Sequence, residues 1–283
     1  MFVEVMEIPV VQPYSLPLTV LSHGWVNLLP YYWDQKKKIL RRQEKITHNA
    51  EPITLEISQE QNHQLRILAK SNRKISKSAK NNIAKRIKRA LSTDSDCREF
   101  HKVARKLDKG VANILVKGGG RFLKGTTLFE DIVKTLFTTN ASWSSTQRMV
   151  NNFIKIYGTD GAFPVPFDLV NVTENDLREK VKIGYRARYL VAILELFVGN
   201  SSGNLENIPS KIPGLGPYGM AHIRFLNNDF SIIPIDSEVR GFCNSFYGLK
   251  SDDQIIEAYS SWGKYAFLGY KLSRHVKNNN WIG

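Results

Sequence analysis

Two different spacings of apolar residues divide the chain into a first part with strands and a second part built from helices. Apolar and polar residues alternate in 52–59 and 63–71, which predicts two half-buried strands joined as a hairpin through the polar stretch 58–63. Residues 8–21 are apolar but contain three prolines, which favours edge strands over a helix. Segment 80–92 repeats apolar residues at helical spacing and carries a basic opposite face.

After about residue 105 the apolar residues recur mostly at helical spacing. Helix starts are marked by Thr173 and Ser251, whose side chains suit N-caps, and Gly158 suits a helix end. The helices predicted here cover about 128–137, 149–157 and 185–198, with others starting near 173, 217, 237 and 251. We therefore predict an α+β protein. An N-terminal mixed domain with antiparallel β structure, residues 1–105, precedes an all-α domain, residues 106–283.

Composition and charge narrow the class of protein. The chain has 283 residues, 42% hydrophobic and 23% charged, which is ordinary for a protein that buries a core. No apolar run approaches the length of a membrane helix, and the first residues lack the pattern of a signal peptide. The formal net charge of +14 favours a polyanionic partner such as a nucleic acid.

The cysteine content also excludes two classes of protein. Two cysteines, Cys97 and Cys243, cannot build a disulfide scaffold, and they cannot supply the four thiolates of an ordinary iron–sulfur cluster. A reducing intracellular compartment fits this usage. We expect a cytoplasmic protein associated with the nucleoid, with the nucleus as the alternative.

The segment Pro213-Gly214-Leu215-Gly216 predicts a tight turn ahead of a helix that begins near Pro217. Both glycines permit a positive φ and a close approach of the backbone, and Leu215 is expected at the tip of the turn. Free amides at the start of the following helix would form an anion site of the size of one phosphate. The alternative is an ordinary helix connection that contains glycine.

Asp236 follows the apolar run 232–235 and lies eighteen residues after Tyr218. A carboxylate in partly desolvated surroundings suits catalysis. The same residue also suits the N-cap of a helix that begins near Ser237. From these residues alone both interpretations stay open.

Together, Ile212 to Gly216 and Pro234-Ile235-Asp236 resemble the helix-hairpin-helix (HhH-GPD) DNA glycosylase superfamily, which pairs such a hairpin with a downstream catalytic aspartate. The resemblance lies between its alkylbase (3-methyladenine DNA glycosylase II) and 8-oxoguanine DNA glycosylase branches. It implies that Asp236 is the catalytic carboxylate. It also implies DNA contacts by the hairpin residues Pro213, Gly214, Leu215 and Gly216.

Two upstream segments extend the resemblance to the 8-oxoguanine branch. Segment 128–142 resembles the helix and wedge loop of that branch, which implies that Asn140 fills the gap left by a flipped base. In segment 184–189, Tyr185 and Arg186 match residues that approach the opposite base. The alternatives are a plain helix end at Asn140 and a basic helix start at 184–189. A second arginine of that branch is replaced here by Ser145.

The pocket residues resemble the alkylbase branch more closely. Tyr218 stands where bifunctional members carry a lysine, and a phenol cannot form a Schiff base, so we predict no lyase activity. Lys211, one residue before the hairpin, is wrongly placed to replace that lysine. Trp262 and Tyr265 resemble an aromatic wall of the base pocket, and His222 would face the same pocket. Helix packing is the alternative for the two aromatic residues, and a satisfied core or surface histidine is the alternative for His222.

The sequence therefore predicts a monofunctional base-excision glycosylase that hydrolyses the N-glycosidic bond of a flipped-out damaged purine. An alkylated purine is favoured, 8-oxoguanine is the alternative, and a non-catalytic helix-hairpin-helix DNA-binding protein is a further one. We expect duplex DNA with a damaged base as partner, no membrane, and a monomer. No cofactor is expected except a Na⁺ or K⁺ ion, which the resemblance places on the backbone carbonyls of Ser210, Ile212 and Gly214.

Overall fold

The computed structural model describes residues 1–60, 64–200, 203, 205 and 207–278. An antiparallel sheet forms the N-terminal part, with the strand order β1-β5-β4-β3-β2. Its strands are β1 (Phe2–Pro9), β2 (Tyr32–Asp34), β3 (Ile39–Glu44), β4 (Ile53–Gln59) and β5 (Gln64–Ser71).

The predicted hairpin is the centre of this sheet. Strand β4 pairs with β5 so that Leu55 lies opposite Ala69 and Ile57 lies opposite Ile67. These side chains are fully buried, since alternation places every second residue on the core face. The predicted pair of strands is confirmed, while residues 61–63 of its turn lie outside the described residues.

The prediction for residues 8–21 is only partly right. Strand β1 ends at Pro9 and lies at the sheet edge, as expected, but Leu16–Val20 forms a short helix, α1. Ser15 caps this helix through a hydrogen bond from the Leu18 amide. Pro17 stands in the first turn of α1, where a proline costs little because that turn needs no backbone donor.

The remainder of the chain is helical, which confirms the predicted fold class. The helices are α2 (Lys77–Leu91), α3 (Arg98–Leu107), α4 (Lys109–Val116), α5 (Leu128–Thr138), α6 (Trp143–Tyr157), α7 (Glu174–Asp176), α8 (Arg186–Val198), α9 (Pro217–Leu226), α10 (Ser237–Tyr247), α11 (Asp252–Ala258) and α12 (Ala266–Lys277). The domain boundary predicted after residue 105 falls in the last turn of α3 and stays a prediction. No helix of the described residues is long and apolar enough to cross a membrane.

A buried cluster of charges joins the sheet to helix α5. The Arg42 guanidinium on β3 lies 2.7 Å from a Glu44 oxygen and 3.1 Å from a Glu130 oxygen. The Lys134 ammonium lies 2.6 Å from the other Glu130 oxygen. Burial opposes the charge on Glu130, but Arg42 and Lys134 outweigh it and lower the pKa of Glu130 to about 2. The sheet is thereby held against the helices by paired, buried charges.

Candidate active site

The turn between α8 and α9 is tight because Gly214 has a left-handed backbone, with φ +77°. A Cβ atom there would lie 2.6 Å from the Tyr189 ring and 2.8 Å from a Leu136 methyl group. The Leu215 amide donates to the Ile212 carbonyl across 3.1 Å and closes the turn. Gly214 therefore meets both expectations, a positive φ and a close backbone approach.

The structure adds two details to the predicted turn. Leu215 is only 7% exposed, so its side chain anchors the turn in the core instead of standing free at the tip. Gly216 has φ −79°, an ordinary value, so only Gly214 needs the left-handed region. The apolar Leu215 gains more from burial than from contact with solvent or a polar ligand.

Helix α9 begins with free donors, as the sequence predicted. Gly216 is its N-cap and offers no side-chain acceptor, and Pro217 occupies the first turn. Gly216 and Pro217 are both exposed. The first amides of α9 and the positive end of its dipole thus face the surface, an arrangement that suits a phosphate oxygen.

Asn140, Tyr185 and Arg186 come together beside the start of α8. Asn140 follows α5 with φ +45°, and its side-chain amide donates to the Tyr185 hydroxyl across 3.3 Å. The Arg186 guanidinium lies 4.7 Å from the centre of the Tyr185 ring. The sequence placed these three residues at one DNA-facing position, and the structure brings them to one place.

The side chain of Arg186 has a more structural position than predicted. It is 7% exposed, and it donates to the backbone carbonyls of Thr139 and Asn140. These bonds hold the Asn140 loop, so the guanidinium is already engaged and does not stand free to meet a base. An exposed arginine missed by the sequence interpretation, Arg148, donates to the Ser145 hydroxyl across 3.2 Å. The sequence feature that could have pointed to Arg148 is its position one helical turn after Ser145.

Asp236 is the N-cap of α10 and lies close to Tyr218. Its Oδ1 atom accepts the Val239 amide across 2.8 Å, which fixes the orientation of the carboxylate. Burial and the Asp236 carboxylate raise the pKa of the Tyr218 phenol well above its ordinary value. The phenol therefore stays protonated and can donate to the carboxylate. The capping interpretation of Asp236 is confirmed, and it leaves the second carboxylate oxygen outside the cap.

His222 lies behind Tyr218 in a cluster of rings. Its ring centre is 5.9 Å from that of Tyr218, 5.2 Å from that of Trp25 and 5.3 Å from that of His23. Burial lowers the pKa of His222 to about 3, with a further decrease from the positive charge of Lys271. This imidazole is therefore neutral at physiological pH. His23 and Trp25 come from a distant part of the sequence and carried no signal there beyond their aromatic character.

Trp262 and Tyr265 are not part of this ring cluster. Trp262 is 6% exposed and packs on Gly269, where a Cβ atom would lie 2.3 Å from the indole. Both rings contact Phe100 of α3, at 5.8 Å and 5.1 Å between centres. The structure thus corrects the expectation that they form a wall with Tyr218. They belong to the packing of the short helical segment Ser260–Tyr265, just before α12, on α3, which is the alternative considered for them.

A large cavity among the described residues lies away from Asp236. It measures about 1170 Å³ and opens between α2 and the segment that follows α9. Its basic lining residues are Lys85, Lys88, Arg89, Lys124 and Lys264. Neither Asp236 nor Tyr218 lines this cavity, so its size does not identify it with the candidate catalytic position.

Three solved structures share this fold over almost the whole chain. The 8-oxoguanine glycosylase/lyase of Clostridium acetobutylicum, in its apo form, is 18% identical with a TM-score of 0.68 over 95% of both chains. Its complex with double-stranded DNA containing cytosine opposite 8-oxoguanine is also 18% identical, with a TM-score of 0.64 over 98% of both chains. A 3-methyladenine DNA glycosylase from Archaeoglobus fulgidus is 12% identical, with a TM-score of 0.69 over 96% of this chain and 98% of its own.

No protein-family model matches this sequence, and no curated protein is similar enough to count as a match. The solved structures establish the fold, which is the one found in DNA glycosylases of both branches that the sequence resembles. The resemblance stated from the hairpin and Asp236 is confirmed at this level. What the chain acts on has to be argued from its own residues.

Proposed function

We propose that this protein is a base-excision DNA glycosylase that hydrolyses the N-glycosidic bond of a damaged purine. One observation carries the proposal. The Asp236 carboxylate is fixed as the N-cap of α10 and lies next to Tyr218. Tyr218 stands in the first turn of α9, directly after the hairpin, where the free amides of that helix face the surface. A protein that only binds DNA needs the hairpin but not this carboxylate.

Different residues serve DNA binding, extrusion of the base and cleavage of the bond. The net charge of +14 attracts the DNA backbone, and the first amides of α9 hold a phosphate. Asn140 and Tyr185 occupy the space that the extruded nucleotide leaves. Asp236 stabilises the positive charge that develops on the sugar, or orients the water that attacks C1′. Tyr218 stays protonated beside it and donates to the carboxylate.

The structure changes which lesion we favour. The sequence favoured a cationic alkylated purine because of Tyr218, of Ser145 in place of an arginine, and of an aromatic wall expected from Trp262 and Tyr265. These last two rings lie elsewhere. In addition, Lys271 and Arg274 act electrostatically on the residues around Asp236. Cationic groups disfavour a cationic base. We therefore propose a neutral oxidised purine such as 8-oxoguanine ahead of an alkylated purine.

Duplex DNA is the proposed partner, bound by a monomer. The carbonyls of Ser210, Ile212 and Gly214 would hold a Na⁺ or K⁺ ion, which would add positive charge beside the phosphate. The Ile212 carbonyl accepts the Leu215 amide and keeps a second lone pair for such an ion. Because Tyr218 offers no amine, base release itself is proposed to proceed by hydrolysis.

The test is excision by Asp236→Asn. Asparagine retains the N-cap, so folding should be unchanged, whereas loss of the charge should lower excision about 100-fold or more. Labelled duplexes would carry 8-oxoguanine, 1,N6-ethenoadenine, hypoxanthine or 3-methyladenine. Base release would be read after alkali, and binding by titration at two salt concentrations. Asp253→Asn, an exposed carboxylate in the first turn of α11, is the matched control.

Retained excision in Asp236→Asn would overturn the role of this carboxylate. Salt-sensitive binding without release from any of the four duplexes would favour the non-catalytic alternative. Release of 3-methyladenine but not of 8-oxoguanine would restore the alkylated purine as the proposed substrate.

A further inference from the structure

The large cavity between α2 and the segment after α9 lies at the opposite end of α9 from the hairpin. The hairpin precedes Pro217, the first residue of α9, whereas Leu226, the last residue of that helix, lines the cavity. A helix of this length spans about 15 Å, which separates the cavity from the amides of the hairpin. The cavity is therefore a second surface, distinct from the candidate catalytic position.

Lys124 is a buried cation in the wall of this cavity. It is 3% exposed, and its ammonium donates to the side-chain oxygen of Asn228 across 2.6 Å. Asp131 pairs with Arg89 at 2.7 Å, and no carboxylate of the described residues forms an ion pair with Lys124. Burial and the charge of Arg89 lower the pKa of the Lys124 amine to about 7, and Asp131 opposes this decrease. Because a buried charge is costly unless an opposite charge compensates it, an anion in the cavity would stabilise the charged amine.

The three aspartates that line the cavity already have partners. Asp94 lies 3.8 Å from Lys88, and Asp96 is paired with Arg98 at 2.6 Å. Asp229 accepts two hydrogen bonds from the serine two residues later in the sequence. These carboxylates therefore leave the remaining lysines of the cavity uncompensated.

Two further lysines of the cavity are available to an anion. Lys85 and Lys264 are exposed, and neither forms an ion pair within the described part of the chain. The Lys264 ammonium lies 5.2 Å from the centre of the Tyr265 ring. Together with Lys124 they provide three lysine side chains without a carboxylate partner, a set that suits a phosphate group.

Two half-buried aromatic residues belong to the same cavity. Phe230 and Tyr265 line it, and both also line a smaller recess of about 50 Å³ together with Phe100 and Phe122. Surfaces that combine aromatic rings with positive charge are typical of nucleotide binding, because the rings stack on bases while the cations hold phosphates. The combination indicates a phosphate ligand that carries an aromatic base.

We propose that this cavity binds a nucleotide, with the phosphate on Lys124 and the base against Tyr265 and Phe230. A free mononucleotide and a single DNA strand offer the same chemistry, and a cavity of about 1170 Å³ has room for either. The inference does not depend on the proposed glycosylase activity, because neither Asp236 nor Tyr218 lines the cavity.

The experiment is calorimetric titration of the full-length protein with dAMP, with inorganic phosphate and with a short single-stranded oligothymidylate. We expect dAMP to bind once per chain and more tightly than inorganic phosphate. Lys124→Met should weaken the binding of dAMP about tenfold or more, since it removes a charged hydrogen-bond donor. Lys155→Met, exposed on α6, is the matched control and should bind dAMP like the wild type. A photoreactive 8-azido derivative of dAMP should cross-link to a peptide that contains Phe230 or Tyr265.

Two results support the proposal and separate the sources of the nucleotide. Oligothymidylate that binds more tightly than dAMP, with the same loss in Lys124→Met, would identify a DNA strand as the ligand. Equal affinity for the two probes, again with that loss, would identify a mononucleotide. If Lys124→Met does not fold by circular dichroism, Lys264→Gln and the cross-linked peptide of the wild type decide instead.

Four results would overturn the proposal. The first is that neither dAMP nor oligothymidylate binds, and the second is that inorganic phosphate binds as tightly as dAMP. The third is a cross-linked peptide from outside the cavity. The fourth is binding that is lost in Gly214→Ala but kept in Lys124→Met, because this would place the nucleotide at the hairpin.

Discussion

The side-chain amide of Asn140 donates to the Tyr185 hydroxyl across 3.3 Å, although the two residues are 45 positions apart in the sequence. The Arg186 side chain stabilises this pair by donating to the backbone carbonyls of Thr139 and Asn140. The backbone of Asn140 is left-handed, which asparagine tolerates better than most residues. The loop is therefore arranged before any DNA is bound.

From this arrangement we expect Asn140→Ala to lower excision roughly tenfold or more while leaving binding to undamaged duplex nearly unchanged. Extruding a base costs a few kcal/mol, and the variant loses the group that we propose fills the gap. Excision would be followed under single-turnover conditions, with binding measured by anisotropy. Asn151→Ala, exposed on α6, is the control. Equal losses in both variants would argue against a role in extrusion.

The two hairpin glycines should respond differently to alanine. Gly214→Ala forces a left-handed backbone on a residue with a Cβ atom and drives that atom into Tyr189, so we expect a loss of about 1–3 kcal/mol in unfolding free energy. Gly216→Ala meets no atom within 4 Å and has an ordinary φ, so it should fold normally.

Urea unfolding would measure the stability of both variants, and salt titrations their affinity for DNA. The Gly214 variant should also bind more weakly, because the amides of α9 are aimed by this turn. Similar stability for the two variants would show that the close approach of Gly214 to Tyr189 does not hold the hairpin.

The local elements and the hairpin could be predicted because their signals are local. The alternation in β4 and β5, and the start of α9 at Pro217, depend on neighbouring residues only. The direction in which Trp262 faces could not be predicted. From its spacing, a buried aromatic residue in a helix could pack against α3 or line a substrate pocket. The contacts of Trp262 with Phe100 and Gly269 show that it packs against α3.

The residues of the candidate site could be predicted only where a local sequence signal marks them. Asp236 has a spacing relative to the hairpin, so one sequence sufficed to select it. His23 and Trp25 pack on His222 from the N-terminal part of the chain, and no spacing connects them to Asp236. Arg186 was predicted at the right place, but its engagement with backbone carbonyls depends on the path of the Asn140 loop.

Stability should fall as the pH is lowered below about 6.5. Burial holds the pKa of His222 and of His275 at about 3 and that of His23 well below its ordinary value. The unfolded chain therefore binds more protons than the folded one between pH 6.5 and about 3, so acid favours unfolding. Each histidine contributes up to about 1.4 kcal/mol per pH unit in this range.

Guanidinium unfolding at about pH 7.5 and about pH 5 would measure this effect above the range of most carboxylates. We expect His222→Gln to reduce the pH dependence and His101→Gln, partly exposed on α3, to leave it unchanged. An unfolding free energy that is the same at both pH values would contradict the neutral, buried state of these imidazoles.

Neighbouring arginines on β3 should differ sharply in their contribution to stability. Arg42→Met removes the guanidinium that Glu44 and Glu130 share, so that Glu44 keeps only Arg86 and Glu130 only Lys134 as ionic partner. Breaking a buried pair costs about 3–5 kcal/mol. Arg41→Met, on the opposite face, removes partly exposed pairs with Asp34 and Glu56 and a contact with the Tyr32 ring, which should cost about 0–1 kcal/mol. Both variants keep an unbranched side chain in the same strand.

Urea unfolding of the two variants would measure the difference directly. We further expect Glu130→Gln in the Arg42→Met background to recover part of the loss, because it removes one of the two carboxylates left without this partner. The recovery should be absent in the Arg41→Met background, where Glu130 keeps both Arg42 and Lys134. Equal losses for Arg41→Met and Arg42→Met would show that the sheet is not held against α5 by these charges.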